Sequence, residues 1–475
     1  MKKLKLEIID LTDQGHGLAR TEQGQVVFVP YYIPGDIIKC DLIPIKKNIW
    51  QATNVELKES SSQRQTIPCS YFNNDSELNL SCGGCQVQAL KYQEFLKIKN
   101  NSLLNKLERI AKIDLNEIDT KPIFGMVNPW HYRNNVQLKI KYNKQDATFE
   151  RGFFASDSNY LVAHEQCLIS QQTDQIIWQA VNSYLEKMPK DLKELFINNW
   201  QELIIRTGEN AKEILLGFVF SGNCSELTRT KYSKLWHEMS LKINAKLLSD
   251  YQLTSIWFLN QTDMAQDNHI WGSKYLTEQI SDKRYQIFPK SFFQVNTQQT
   301  EKLFQIIREF VSNNNYKQTE LQDIDKQEKQ HTLFDLYCGT GTIGIALSDL
   351  FSEVKGVEVF PDAVQNARQN ARINQVKNAK FFQDRAENWL SKQKVTQEDT
   401  IIVDPPRNGL AKTLINTLNQ TPASSLIYVS CHPGTLARDI KRLKNKWQVK
   451  ALQSIDMFPW TMHVEMVVLM SRVEK

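Results

Sequence analysis

Apolar residues along positions 1–60 recur at alternate places in short pieces divided by turn signals. The pieces are LKLEIID, the turn TDQGHG, QVVFVP, the turn Pro34-Gly35-Asp36, IIKCDLI and WQATNVEL. Period-two alternation predicts strands, and short strands at this spacing predict a small barrel. ESSSQRQ (59–65) has no apolar residue and reads as a linker. KYQEFLKIKNNSLLNKLERIA then carries apolar residues at helical spacing and predicts an amphipathic helix. From 121 to about 290 the chain is β-rich, broken by one or two helices, and the polar tract NNNYKQTELQDIDKQEKQ (313–330) reads as an exposed loop. After it the texture changes. HTLFDLYCGTGTIGIALSDL reads as strand, glycine turn and helix, EVKGVEVF as a second strand, and AKFFQDRA, TIIVDPPRNG and SLIYVSC as three more with helical stretches between. That alternation predicts a doubly wound parallel sheet.

Three units follow: an OB-like β-barrel at 1–60, a central α+β unit at 61–285, and an α/β Rossmann-like domain at 286–475. The helix at about 88–118 is expected to pack on the last. A chain of 475 residues is too long for one core, which agrees with that division. No apolar run reaches membrane-spanning length, and MKKLKLEIID lacks the apolar region of a signal peptide, so a cytoplasmic protein that needs no membrane, and a monomer, is expected. Net charge is +5, a weak pointer to an anionic partner. Eight cysteines in a reducing compartment suggest metal or redox chemistry at close spacings such as Cys82-Gly-Gly-Cys85.

The carboxyl-terminal sheet carries the chemistry. Asp335-Leu-Tyr337-Cys-Gly339-Thr-Gly341-Thr342-Ile-Gly344 holds G-x-G-x-x-G between a strand and a helix, and Glu358 ends the next strand. A carboxylate there can take two ribose hydroxyls, in an adenosylmethionine site or a dinucleotide site alike. Asp404-Pro405-Pro406-Arg407 ends the fourth strand, where a carboxylate and rigid prolines can position a planar heterocycle. Exocyclic-amine methylases usually place an aromatic residue after the prolines, and Arg407 points away from that chemistry. Cys431 stands where SLIYVS gives way to the helix opened by His432-Pro433-Gly434. Alone it reads as a core thiol; at a strand's carboxyl end and a helix amino terminus it can serve as a thiolate. Uracil C5 becomes nucleophilic enough to take a methyl group once a thiolate adds at C6, and a base must then remove the C5 proton. Glu465, flanked by an apolar strand, is the sharp candidate for that base.

LYCGTGTIGIAL, VDPPRNGL, VSCHPGTLARDI, FPWTMHVEMVVL and SFFQVNTQQT resemble, in order, the motifs of the RNA uracil-5-methyltransferases. The resemblance covers nearly the whole chain. It implies that Cys431 is the nucleophile and Glu465 the base, and that Gln294, Tyr337, Thr342, Glu358, Asp384 and Asp404, with the loop around Gly339, line the S-adenosylmethionine and uracil pocket. Cys69, Cys82, Cys85 and Cys167 form C-x12-C-x2-C with a distant fourth thiol, a set that suits zinc or an iron–sulfur cluster. It resembles the 4Fe-4S site of the ribosomal-RNA branch, lengthened by FNNDSELNLS, a polar stretch that reads as a surface loop. Cys40, Cys224 and Cys338 read as bystanders.

The first sixty residues resemble a TRAM domain, although their eight basic and eight acidic residues cancel. Residues 121–151 hold six Lys/Arg against two acids, with Trp130, His131 and Tyr132 beside Arg133. Cations for phosphates and rings for stacking suit unpaired RNA, so Trp130, Tyr132, Arg133 and Arg407 are RNA-binding candidates. The expected activity is C5 methylation of an unpaired uridine, in 23S ribosomal RNA or alternatively in tRNA, to give 5-methyluridine. A radical adenosylmethionine methylthiotransferase would need a C-x3-C-x2-C triad that the chain lacks. A catalytically silent RNA-binding assembly factor would have no use for Cys431 and Glu465.

Overall fold

The computed structural model describes residues 3–73, 81–222, 232–247, 250–263, 265, 267–316 and 330–473. Residues 74–80 of the FNNDSELNLS stretch, Cys224 and most of the polar tract lie outside them.

The first strands, β1 (Leu4–Leu11), β2 (Gly17–Arg20), β3 (Val26–Val29), β4 (Ile37–Lys46) and β5 (Ile49–Glu59), close into a barrel in the order β1-β2-β3-β5-β4. Alternation accounts for it: Leu6, Ile8, Val27, Val29, Ile38 and Cys40 fill the interior. The helix Tyr92–Lys106 forms on the predicted segment and leads into β6 (Asp119–Phe124).

The central sheet comprises β7 (Asn135–Asn143), β8 (Thr148–Phe154), β9 (Leu161–Ala163), β10 (Trp200–Gly208), β11 (Glu213–Phe220), β12 (Gln252–Asn260) and β13 (Asn268–Gly272), in the order β13-β12-β11-β10-β7-β8-β9. Three helices lie among these strands in the described residues, Thr173–Leu185, Lys190–Asn199 and Ser233–Asn244, where the sequence shows one or two. A hairpin of β14 (Leu276–Ile280) and β15 (Lys283–Ile287) follows. The division drawn at 285/286 cuts through packed structure, since Leu276, Ile280, Tyr285 and Ile287 share a hydrophobic cluster with Leu303, Ile307, Val354 and Ile402.

The last sheet contains β16 (Gln330–Leu336), β17 (Phe351–Glu358), β18 (Ala379–Gln383), β19 (Thr400–Val403), β20 (Ser425–Ser430), β21 (Trp447–Ile455) and β22 (Glu465–Arg472), in the order β18-β17-β16-β19-β20-β22-β21-β6. β18 to β20 run parallel, as the strand–helix alternation predicts. β22 runs antiparallel to both neighbours, and β6 adds a parallel edge strand from before the central sheet. The helix after the glycine turn is a short one, Thr342–Ala346.

Leu103, Leu107 and Ala111, from the first helix and the π-turn that follows it, pack with Leu336, Tyr428, Leu436 and Val468 on one face of this sheet. One small cluster joins every part of the molecule: Leu11 and Ile33 of the barrel, Val87 and Leu90 of the cysteine segment, Phe95, Tyr132 and Ile169, and Trp460 and Met462 ahead of β22. Among the described residues no helix is long and apolar enough to cross a membrane.

Candidate active site and cysteine centre

In an open α/β sheet the carboxyl ends of the strands carry the ligand site. Here β16 ends beside Tyr337, β17 at Glu358, β18 beside Asp384, β19 beside Asp404 and β20 beside Cys431, all at that edge. Because β22 runs the other way, its first residue, Glu465, also lies there. Ser430 pairs with Met466, so Cys431 and Glu465 are each the next residue beyond that pair.

The glycine loop is built for close approach. Gly339 has φ +53° and open space where a Cβ would sit, which leaves bare backbone facing outward. A Cβ at Gly344 would come within 2.9 Å of Asp335 Oδ2, the atom that accepts the Gly344 amide at 3.0 Å. Glu358 is held by three amides: Oε2 accepts from Gly339 at 3.2 Å, and Oε1 from Val359 at 2.7 Å and Phe360 at 3.1 Å. Asp384 accepts the Arg385 amide at 2.7 Å and sits 3.5 Å from the Lys392 ammonium. Thr342 lends its carbonyl to the Tyr285 hydroxyl at 3.2 Å, and the carbonyl of Gln294, on the segment between β15 and the helix Thr297–Tyr316, accepts from Asn134 Nδ2 at 3.1 Å.

The acids of this edge press on one another. Burial pushes Asp404 up to about 7, helped by nearby Asp335, and Asp335 is itself pushed up to about 7 by burial. Glu465 is held well above the usual carboxylate range, first by burial and then by Asp404. Its side chain is 3% exposed and its Oε1 is buried without a hydrogen-bond partner. The Cys431 thiol is pushed up to about 11 by burial, then by Glu465 and Asp404, while Arg407 pulls it down. This runs against the pull toward the thiolate that the sequence reading drew from the helix amino terminus. His432 caps the helix Pro433–Leu443 by accepting the Thr435 amide at 3.2 Å, yet the helix terminus does not outweigh burial and two neighbouring acids.

Tyr132 is a second correction. It is 1% exposed and its hydroxyl donates to the Pro459 carbonyl at 3.1 Å, so its ring packs the shared cluster and is not open to a base. Trp130 is half-buried and stacks on Trp460 with centroids 4.5 Å apart. Arg133 is half-buried, with Nε donating to the Asn135 carbonyl at 3.0 Å. Arg407 is exposed and lies 2.9 Å from His463 Nδ1, a partner the sequence reading missed although it stands two residues before Glu465. That reading also missed Lys99, fully buried against Asp456. Its signal was its place four residues from both Phe95 and Leu103 on the apolar helix face.

Cys69, Cys82, Cys85 and Cys167 line one small cavity with Tyr71, Phe72, Gln88 and His164. The Gly84 amide donates to Cys82 Sγ at 3.5 Å. Burial raises Cys69 and Cys85, and Cys82 to about 12, and neighbouring thiols of the set raise each of them further. Among the described residues no three His, Cys, Asp or Glu side chains are grouped so that they could hold a metal ion. Cys40 and Cys338 are buried apart from this cavity.

A family model described as tRNA (Uracil-5-)-methyltransferase matches residues 92–473, and one described as TRAM domain matches residues 2–52. The chain belongs to the tRNA (uracil-5-)-methyltransferase family. Relatives named uncharacterized RNA methyltransferase include one from Staphylococcus aureus strain COL, 31% identical over 97% of this chain and 96% of its own. Another, from Bacillus cereus, is 32% identical over 98% of this chain and 96% of its own. Among solved structures, Pyrococcus abyssi tRNA (uracil-54, C5)-methyltransferase in complex with S-adenosyl-L-homocysteine superposes with a TM-score of 0.71 at 25% identity, covering 98% of this chain and 100% of that one. The enzyme is an RNA uracil-5-methyltransferase with an amino-terminal TRAM barrel.

Proposed function

We propose that the enzyme methylates C5 of an unpaired uridine in 23S ribosomal RNA, with Cys431 as nucleophile, Glu465 as base and S-adenosylmethionine as methyl donor. The observation that carries this reading is the cross-strand adjacency of Cys431 and Glu465 at the sheet edge that also bears Asp404. After the Cys431 thiol gives its proton to solvent, Sγ bonds to uracil C6 and the pair of the C5–C6 double bond moves toward C5. S-adenosylmethionine, when bound, would supply the methyl group to C5 and leave as S-adenosylhomocysteine. Glu465 in its carboxylate form, with one oxygen unpartnered and made more basic by its raised pKa, takes the C5 proton, and the C6–S bond breaks to restore the ring double bond. Asp404, at the end of β19 beside Pro405 and Pro406, positions the uracil.

Glu358, held by three amides, would take the donor's ribose hydroxyls, with the open backbone at Gly339 and the side chains of Gln294, Tyr337, Thr342 and Asp384 completing the donor site. Arg407, Arg133 and Trp130 would meet the RNA, and base flipping costs least from a loop or bulge. We further propose a division by function, with RNA binding at the 1–60 barrel, the cysteine centre and further RNA contact in 61–285 and the chemistry in 286–475, in a monomeric cytoplasmic enzyme.

The four cysteines line one cavity, although their side chains are not grouped at metal-holding distance, and we assign them a 4Fe-4S cluster with a structural role. Burial and the neighbouring thiols make ionisation of Cys69, Cys82 and Cys85 costly, and a cationic centre bound by the thiolates would offset that cost. Barrel plus cysteine centre favours ribosomal RNA. The second reading, a tRNA uridine, is favoured by the full-length likeness to the archaeal tRNA enzyme. The test is mass mapping of 5-methyluridine in ribosomal and transfer RNA from cells lacking the gene. Loss from 23S RNA supports the first reading, loss from tRNA the second, and loss from neither overturns both.

A further inference from the structure

The segment 456–464, which leads into β22 and so sets where Glu465 stands, is held mainly from outside its own sheet. The Trp460 carbonyl accepts from the amides of Gln86 at 2.8 Å and Val87 at 3.1 Å. Gln86 Oε1 in turn accepts the Met462 amide at 2.7 Å, three residues ahead of Glu465. The Trp460 indole donates to the Pro129 carbonyl at 3.0 Å, and Lys99 and Tyr92 fasten Asp456 from the first helix. Trp460 adopts φ +65°, a conformation a bulky side chain keeps only where its surroundings impose it. On its other side Gln86 is wedged by the barrel turn, since a Cβ at Gly15 would lie 2.8 Å from Gln86 Cβ.

We propose that Gln86, the residue directly after Cys85, is a positioning residue for the base. It ties the cysteine segment and the barrel turn to the strand that delivers Glu465. The inference rests on the assignment of Cys431 and Glu465 above. Moving the base leaves thiol attack and methyl transfer intact and slows only removal of the C5 proton, so the covalent RNA–enzyme species outlives its normal span.

The experiment is a single-turnover reaction of the purified full-length enzyme with S-adenosylmethionine and target RNA, quenched in denaturant and resolved for free and RNA-linked protein. Gln86→Ala is expected to form the adduct within about threefold of the wild-type rate and to resolve it about tenfold or more slowly. Gln86→Glu, which keeps the acceptor for the Met462 amide, is expected to restore resolution to within about threefold. Gln86→Met, similar in size without the acceptor, replaces the alanine variant if that variant does not fold. Resolution at the wild-type rate in the alanine or methionine variant overturns the proposal, as does equal loss of formation and resolution in all three. A Glu465→Gln enzyme that traps no adduct under the same conditions overturns the assignment beneath it, which separates the two failures.

Discussion

Cys431 leaves β20 one residue after Ser430, and Glu465 opens β22 one residue before Met466, the cross-strand partner of Ser430. The antiparallel direction of β22 creates this meeting. Had β22 run parallel to β20, Glu465 would lie at the amino-terminal edge of the sheet, about 20 Å away for a six-residue strand. The proposed nucleophile and base thus reach one edge from opposite chain directions.

The raised thiol of Cys431 has a direct consequence for its reactivity. With its pKa near 11, the thiolate is a small minority at neutral pH and grows about tenfold per pH unit below that value. Alkylation of Cys431 in the free enzyme, followed by peptide mass, should therefore rise about tenfold per unit from pH 8 to pH 10 without a plateau. Arg407→Ala, which removes the charge that pulls the pKa down, should slow alkylation at each pH in that range.

Asp404 should cost the fold stability. Its carboxyl, near pKa 7 in the fold and about 4 unfolded, must take up a proton on folding between those values. The native state therefore loses stability as pH rises from about 4 to about 7, and the cost is constant above that. Asp404→Asn removes it, so the gain in Tm over wild type should be larger at pH 8 than at pH 5, while methylation is lost. Thermal melts of both proteins at the two pH values check the sign.

Protein purified without oxygen should be brown and contain iron and acid-labile sulfide. Changing Cys82 or Cys85 to Ser should remove both and lower Tm before it alters the chemical step. Metal analysis finding stoichiometric zinc and no iron would replace the cluster with a zinc centre.

Much of this architecture was legible in the chain, for physical reasons. Period-two alternation exposed the barrel, and strand–helix alternation exposed the parallel core with Tyr337, Glu358, Asp404 and Cys431 at strand ends. What stayed hidden depended on contacts between distant segments. No local pattern states that FPWTMHVEMVVLM runs antiparallel, or that residues 119–124 pair with β21 more than three hundred residues later. Lys99 and Tyr132 read as surface groups by type, yet Asp456 and the Pro459 carbonyl allow both to be buried. The helix terminus beside Cys431 was visible in sequence, whereas its burial and the two carboxylates that raise its pKa, which come from other strands, were not.

The most direct measurement is a denaturing gel of Glu465→Gln incubated with S-adenosylmethionine and target RNA. Without the base, thiol attack and methyl transfer proceed but the C5 proton stays, so an RNA-linked protein band carrying a methylated dihydrouridine at Cys431 is expected. Cys431→Ala, and the double variant, should show neither band nor methylation. Turnover by Glu465→Gln at the wild-type rate with no trapped band would contradict the account, as would any methylation by Cys431→Ala near the wild-type rate.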